Sequence, residues 1–129
     1  MRELADAMGV RQAIELEVDG AFHTPLMERA GSAFAKALAT MLELRSRSAS
    51  MPSTIVYSNV TGLPYRSVGE VVDLLPRQIS SPVRWSQVVT HASGLPVRLT
   101  SVILPSPGHQ LEGMLRNQSP SLYSKRSPV

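Results

Sequence analysis

The sequence predicts an α/β fold, a helical layer over a largely parallel sheet, and three observations carry that expectation. Short β-branched runs, residues 55–60 and 97–104, alternate with longer segments whose apolar residues recur at helical spacing. The chain has 129 residues, 43% of them hydrophobic, which suits one domain with a single core. It also opens with a strand-like stretch, Ile14, Leu16 and Val18 alternating with Glu15 and Glu17, that has no early partner. A lone edge strand is costly to leave unpaired, so the first residues read as the middle of a larger arrangement.

Taken in order, residues 3–8 read as a short helix stopped by Gly9, and residues 13–18 as that strand. Thr24 is suited to cap the next helix with its hydroxyl, Pro25 to occupy the first helical position, and Glu28 to complement the helix dipole. From there to residue 44 the stripe Leu26, Ala30, Ala33/Phe34, Ala37/Leu38 and Met41/Leu42 faces a core. Residues 45–53 are polar and aperiodic, a surface loop. Residues 55–60 follow as a buried strand bounded by Thr61-Gly62 and Pro64.

Ser67-Val68-Gly69-Glu70 is a capping box, with Glu70 reaching back to the cap. The helix it starts has Val68, Val71/Val72, Leu75 and Ile79 on its inner face. Pro76 removes the N–H that would bond to Val72 and kinks the backbone there. Trp85, Val88, Val89 and Ala92 mark another helix, stopped near Gly94. Residues 97–104 form a second strand, ended by Pro105-Ser106-Pro107-Gly108, and residues 110–116 a last short helix. Residues 117–129, rich in Ser and Pro, read as a mobile tail.

Composition narrows the function classes. Thirteen Lys+Arg against ten Asp+Glu are scattered, and with one Trp, three Tyr and two Phe there is no basic, aromatic-interleaved surface for nucleic acid. The absence of cysteine removes disulfides, thiolate-bound zinc and a catalytic thiol. His23, His91 and His109 lack metal-ligand spacing, so no metal site is expected. No apolar run approaches the ~20 residues that cross a bilayer, and acids at Glu3 and Asp6 are unlike a signal or transit peptide. A soluble, intracellular protein that binds neither membrane nor nucleic acid is expected. The bacterial cytoplasm, the mitochondrion and the plastid all stay open.

The residue that invites chemistry is His23, in Gly20-Ala21-Phe22-His23-Thr24-Pro25-Leu26-Met27, where a loop turns into a helix. On spacing alone it reads either as a base or as a histidine hydrogen-bonded in a loop. Context comes from three further runs: Val56-Tyr57-Ser58-Asn59-Val60-Thr61-Gly62, Arg77-Gln78-Ile79-Ser80-Ser81-Pro82-Val83-Arg84-Trp85, and Pro107-Gly108-His109-Gln110-Leu111-Glu112-Gly113-Met114-Leu115. Together, in this order and at these separations, the four runs resemble the C-terminal part of the malonyl-CoA:acyl carrier protein transacylases, as far as about Arg116.

The resemblance implies an incomplete α/β-hydrolase-like acyltransferase subdomain over residues 20–116. Residues 1–19 would be the last helix and strand of a ferredoxin-like subdomain, and 117–129 the tail. It implies ping-pong transfer of malonyl from coenzyme A to a serine and on to the phosphopantetheine thiol of acyl carrier protein, with no other cofactor. His23 matches the family's general base, and Gln78 the residue whose backbone carbonyl orients that histidine. Phe22 matches a bulky position favouring malonyl over α-methylated substrates, and Asn59 a polar position at the active-site floor. Without the resemblance, Gln78 reads equally as a solvent-facing helix residue and Asn59 as a strand-end turn former.

The chain has no Gly-x-Ser-x-Gly, the elbow that carries the family's nucleophile, and lacks the family's malonyl-binding arginine and oxyanion-hole glutamine loop. It is therefore expected to be an acyltransferase portion inactive alone. The alternative is a non-catalytic remnant that binds acyl carrier protein or another chain. Either leaves an exposed apolar face of several hundred Å2. Two departures bear on geometry: Pro76 interrupts the helix leading to Gln78 and can displace its carbonyl, and Leu104-Pro105-Ser106-Pro107 can shift the last turn.

Overall fold

Helix punctuation organises the computed structural model, which describes residues 2–9, 18–44, 49–96, 99–105 and 110–126. Among the described residues six α-helices follow one another: α1 Arg2–Ala7, α2 Glu28–Leu44, α3 Val68–Leu74, α4 Trp85–Ser93, α5 Gln110–Gln118 and α6 Pro120–Tyr123. Tight 3-10 turns, Pro25–Met27 and Pro76–Ile79, precede α2 and follow α3. Each stop has a local cause. Gly9 lies in the left-handed region (φ 72°) just past α1, and Gly94 receives the end of α4.

Two caps differ in detail from the sequence reading. The Thr24 hydroxyl caps nothing. It donates backward to the Ala21 carbonyl at 2.7 Å, while the Thr24 carbonyl accepts the Met27 N–H at 3.0 Å, so the expected first helical turn tightens to 3-10 geometry. At α3 the Ser67 hydroxyl accepts the Glu70 N–H at 3.1 Å. The Glu70 carboxylate reaches one residue beyond the cap, to the Arg66 N–H at 2.7 Å.

Packing falls into two regions. Val89, Leu115 and Leu122 are buried together, with Trp85, Leu99, Val102, Leu104 and Tyr123 against them. The other region joins α2, α3 and the Pro76–Ile79 turn. Here Leu74 and Pro76 are buried, and Gly31 lets the helix approach so closely that a Cβ would sit 3.1 Å from the Pro76 carbonyl. Leu74, absent from the expected inner face of α3, is its buried residue, whereas Val68, Val71 and Val72 are half-buried. On α2 only part of the expected stripe is covered. Phe34, Leu38 and Leu42 are half-buried, but Met41 is 54% exposed, and Leu26, in the 3-10 turn before α2, is 83% exposed.

No extended strand forms among the described residues, a correction to the expected sheet. The two bridges are isolated: Tyr57 with Pro64, antiparallel, and Val102 with Arg126, parallel. Ile55 and Val56 are exposed rather than buried. The reason is physical: β-branched composition favours extension, but a strand forms only where its N–H and C=O groups find the ladder of a neighbouring strand. The Ser58–Gly62 corner supplies only a short closure, through Ser58 N–H to the Leu63 carbonyl and Tyr65 N–H to the Val56 carbonyl, both 2.9 Å. Residues 102–104 keep the alternation of a strand, Val102 and Leu104 packed inward and Ile103 outward, while Leu99 also packs on the core, out of that register.

The expected strand 13–18, Val18 apart, lies outside the described residues, as do residues 106–108 of the expected turn Pro105–Gly108, 45–48 of the surface loop, 97–98 of the second strand and 127–129 of the tail. Residues 117–126 depart from the expected mobile tail. Helix α5 runs on to Gln118, and Ser119-Pro120 starts α6 with a proline in its first turn. Leu122 is then buried, while Arg126 pairs with Glu112 at 3.1 Å and stacks over Tyr123. Among the described residues no helix is long and apolar enough to cross a membrane.

Candidate active site

The site is built where two segments, 55 residues apart in sequence, exchange backbone contacts. His23 adopts φ 64°, and it is the non-glycine residue with positive φ among those described. Histidine visits this left-handed region more often than most residues, but it is still disfavoured. Two hydrogen bonds hold it there. Its backbone N–H donates to the Ile79 carbonyl at 2.8 Å, and its ring Nδ1 lies 2.8 Å from the Gln78 carbonyl oxygen.

That second contact fixes the chemistry of the ring. A carbonyl can only accept, so Nδ1 of the neutral imidazole carries the proton and Nε2 carries the free lone pair. The ring is exposed, with Nε2 free to take a proton from a group brought against it. Pro76 has not displaced the Gln78 carbonyl. Since Pro76 has no N–H, α3 makes its last bond from Leu75 to the Val71 carbonyl, 2.9 Å, and the chain tightens into the 3-10 turn that carries Gln78 and Ile79.

The other expected site residues sit differently. Phe22 adjoins His23 and is 53% exposed, its ring folded back so that a Cβ on Gly20 would lie 3.1 Å from it. Asn59 is exposed in the Ser58–Gly62 corner, and its carbonyl accepts the Arg84 N–H at 2.9 Å. This ties the corner to the start of α4. Among the described residues no hydrogen bond joins Asn59 to His23 or Gln78.

The corner itself is built by Ser58, fully buried, whose hydroxyl accepts the Val60 and Thr61 N–H groups at 3.2 and 3.4 Å. Gly62, at φ 72°, closes it against α4. One pairing had no signal in the sequence. The Tyr57 hydroxyl and His91 Nδ1 share a hydrogen bond at 3.0 Å, with the rings edge to face and centroids 5.5 Å apart. Their 34-residue separation follows no local period. Among the described residues no three His, Cys, Asp or Glu side chains converge as metal ligands.

The sequence matches no protein-family model. It is 42% identical over 89 residues to the probable mitochondrial malonyl-CoA-acyl carrier protein transacylase of Drosophila melanogaster, covering 69% of this chain and 22% of the fly protein. It is 33% identical over 126 residues to the mitochondrial malonyl-CoA-acyl carrier protein transacylase of Homo sapiens, covering 92% of this chain and 30% of the human protein. Among solved structures it is similar to the malonyl-CoA:acyl carrier protein transacylase of Xanthomonas oryzae pv. oryzae. The TM-score is 0.80 at 27% identity, over 98% of this chain and 37% of that one. The acyl-carrier-protein S-malonyltransferase of Burkholderia pseudomallei gives a TM-score of 0.77 at 28% identity, over 93% and 36%. This chain thus spans about a third of these proteins or less, as a helix-rich part of an acyltransferase fold. By sequence and by fold, the chain belongs with the malonyl-CoA-acyl carrier protein transacylases.

Proposed function

We propose that these 129 residues are the general-base portion of a malonyl-CoA:acyl carrier protein S-malonyltransferase. The observation that carries the reading is the 2.8 Å contact between His23 Nδ1 and the Gln78 carbonyl, which leaves Nε2 as an available base. Serine is a weak nucleophile at neutral pH and needs such a base within hydrogen-bonding reach.

In the forward half-reaction, His23 Nε2 takes the proton of a serine hydroxyl as its oxygen attacks the malonyl thioester. The tetrahedral adduct then collapses, and the imidazolium returns the proton to the departing coenzyme A thiolate. In the second half-reaction, Nε2 takes the proton of the phosphopantetheine thiol of acyl carrier protein, which attacks the malonyl-serine ester. The serine leaves with that proton. A neutral carbonyl does here what a carboxylate does in a triad: it fixes ring and tautomer. Phe22 narrows the acyl pocket against an α-methyl group, a contact worth ~1–3 kcal/mol of discrimination. Asn59 lines the floor.

The serine comes from outside these 129 residues, because they hold no Gly-x-Ser-x-Gly. The reading extends to the subdomains, with the ferredoxin-like part ending at residue 19 and the large subdomain starting at residue 20. Acyl carrier protein and malonyl-CoA are its partners, and a cytoplasmic or mitochondrial setting follows the relatives.

The test uses labelled malonyl-CoA. The chain alone is expected to stay unlabelled, and stoichiometric acylation would overturn the placement of the nucleophile outside it. When a polypeptide supplying the remainder of the fold, with its serine elbow, is added, transfer to acyl carrier protein is expected and His23→Ala abolishes it. Unchanged transfer in that variant removes His23 from the mechanism. Acyl carrier protein binding without transfer favours the non-catalytic remnant.

A further inference from the structure

We propose that Pro82 is a positioning residue for His23: because it offers no N–H, it keeps the Gln78 carbonyl uncommitted and available to the imidazole. This inference rests on the reading of His23 as the base, but its geometry can be tested separately.

The last carbonyls of a helix have no partner within it, and a continuing chain normally satisfies them with N–H groups three or four residues on. Were the turn Pro76–Ile79 to continue as an α-helix, the donor for the Gln78 carbonyl would be residue 82. That residue is proline. It lacks the donor, and its ring disfavours helical backbone at Ser81, so the turn cannot lengthen to bring another one round.

The turn closes one residue early instead. Ser80, at φ −111° and ψ 1°, donates its N–H to the Arg77 carbonyl at 3.1 Å and passes over Gln78. Beyond Pro82 the chain leaves toward the Ser58–Gly62 corner, where the Arg84 N–H is held by the Asn59 carbonyl at 2.9 Å. Two successive carbonyls, Gln78 and Ile79, are thereby left open. Among the described residues both are taken by His23, one by its ring and one by its backbone N–H. Pro76 brackets the other end, stopping α3 before the turn begins. The two prolines define a short stretch whose outward carbonyls are reserved, and the residue that takes them is the candidate base.

Nitrogen-15 NMR of the full chain reads the tautomer of His23 directly. The wild-type ring is expected mainly as the Nδ1–H tautomer, and a wild-type ring mainly in the Nε2–H form overturns the proposal without any variant. Pro82→Ala restores a donor and frees Ser81. It is expected to lower the ratio of Nδ1–H to Nε2–H by roughly 2- to 10-fold, the equivalent of one net hydrogen bond. Pro52→Ala, an exposed proline remote in sequence, should leave the ratio unchanged. An unchanged ratio in folded Pro82→Ala, or an equal change in Pro52→Ala, overturns the proposal. A shifted ratio in Pro82→Ala, with transfer unaffected by His23→Ala in the complemented enzyme, keeps the positioning and refutes the catalytic reading.

Discussion

Replacing Gly62 with alanine tests how the Ser58–Gly62 corner is held against α4. Gly62 is buried at φ 72°, where an L-residue costs ~1–2 kcal/mol. A Cβ there would lie 2.6 Å from Gln87 Cβ, 2.9 Å from its Oε1 and 3.4 Å from Arg84 Cβ. Carbon atoms settle at about 3.5–4.0 Å, so the first contact is short by about 1 Å. The Oε1 can swing away, but Gln87 Cβ is fixed to the α4 backbone, so the corner itself must move, at ~1–3 kcal/mol. Movement strains the Gly62 N–H bond to Ser58 (2.8 Å) and the Arg84 N–H bond to Asn59 (2.9 Å).

The total is about 2–5 kcal/mol, a large share of the stability of any small domain. In urea unfolding followed by circular dichroism, a slope of ~1–3 kcal/mol/M converts this into a midpoint lowered by about 0.7 M or more. Gly113→Ala is the control. A Cβ there meets nothing within 4 Å on the interior of α5, so the variant should be more stable by ~0.5–1 kcal/mol. A Gly62→Ala midpoint within about 0.3 M of wild type refutes the reasoning.

Two further outcomes are expected. Because His23 holds φ 64°, His23→Gly should be more stable than His23→Ala by about 1 kcal/mol although both lose the imidazole; equal unfolding midpoints would show that the left-handed backbone carries no strain. Leu122, 8% exposed against Val89 and Leu115, should lose ~2–3 kcal/mol of unfolding free energy on truncation to alanine. A loss under about 0.5 kcal/mol in urea would mean that residues 117–126 contribute nothing to the core.

The helices were legible because their signals are local. Ser67 with Glu70, Pro25, Gly9 and Gly94 act within one turn of themselves, and each stands within two residues of a helix boundary. The strands were not, because a strand is a property of two segments. Residues 55–60 have the composition, and among the described residues they find one bridge. The C-terminal segment was misread for a different reason. Its Ser/Pro content suggests a tail, but Ser119-Pro120 is also a helix start, and it brings Leu122 of α6 into one cluster with Leu115 of α5.

At the site, His23 could be singled out from its place just ahead of a helical segment that starts with Pro25. The Gln78 contact could not be read from side chains, because the atom that makes it is a main-chain carbonyl present in every residue. Its identity as an acceptor depends on what else could bond to it, and there the prolines carry information. Pro76 was legible as a break in α3, and the break leaves the carbonyl in reach of His23 rather than moving it away.

The same geometry separates what these residues supply from what a complete site must add. Orientation is already present: a strained backbone, two hydrogen bonds and a bracketed turn fix the ring before any substrate arrives. Electrostatic support is not. A carbonyl dipole stabilises an imidazolium less than a carboxylate does, and the His23–Gln78 bond is exposed to water, where such interactions are weak. The gain from a neutral orienting group therefore grows when a second surface excludes water from the ring, with no buried carboxylate to desolvate. It follows that the complementing polypeptide must bring more than a serine. A free peptide carrying only the serine elbow should restore little transfer, whereas a folded partner that covers Phe22 and His23 should restore much more.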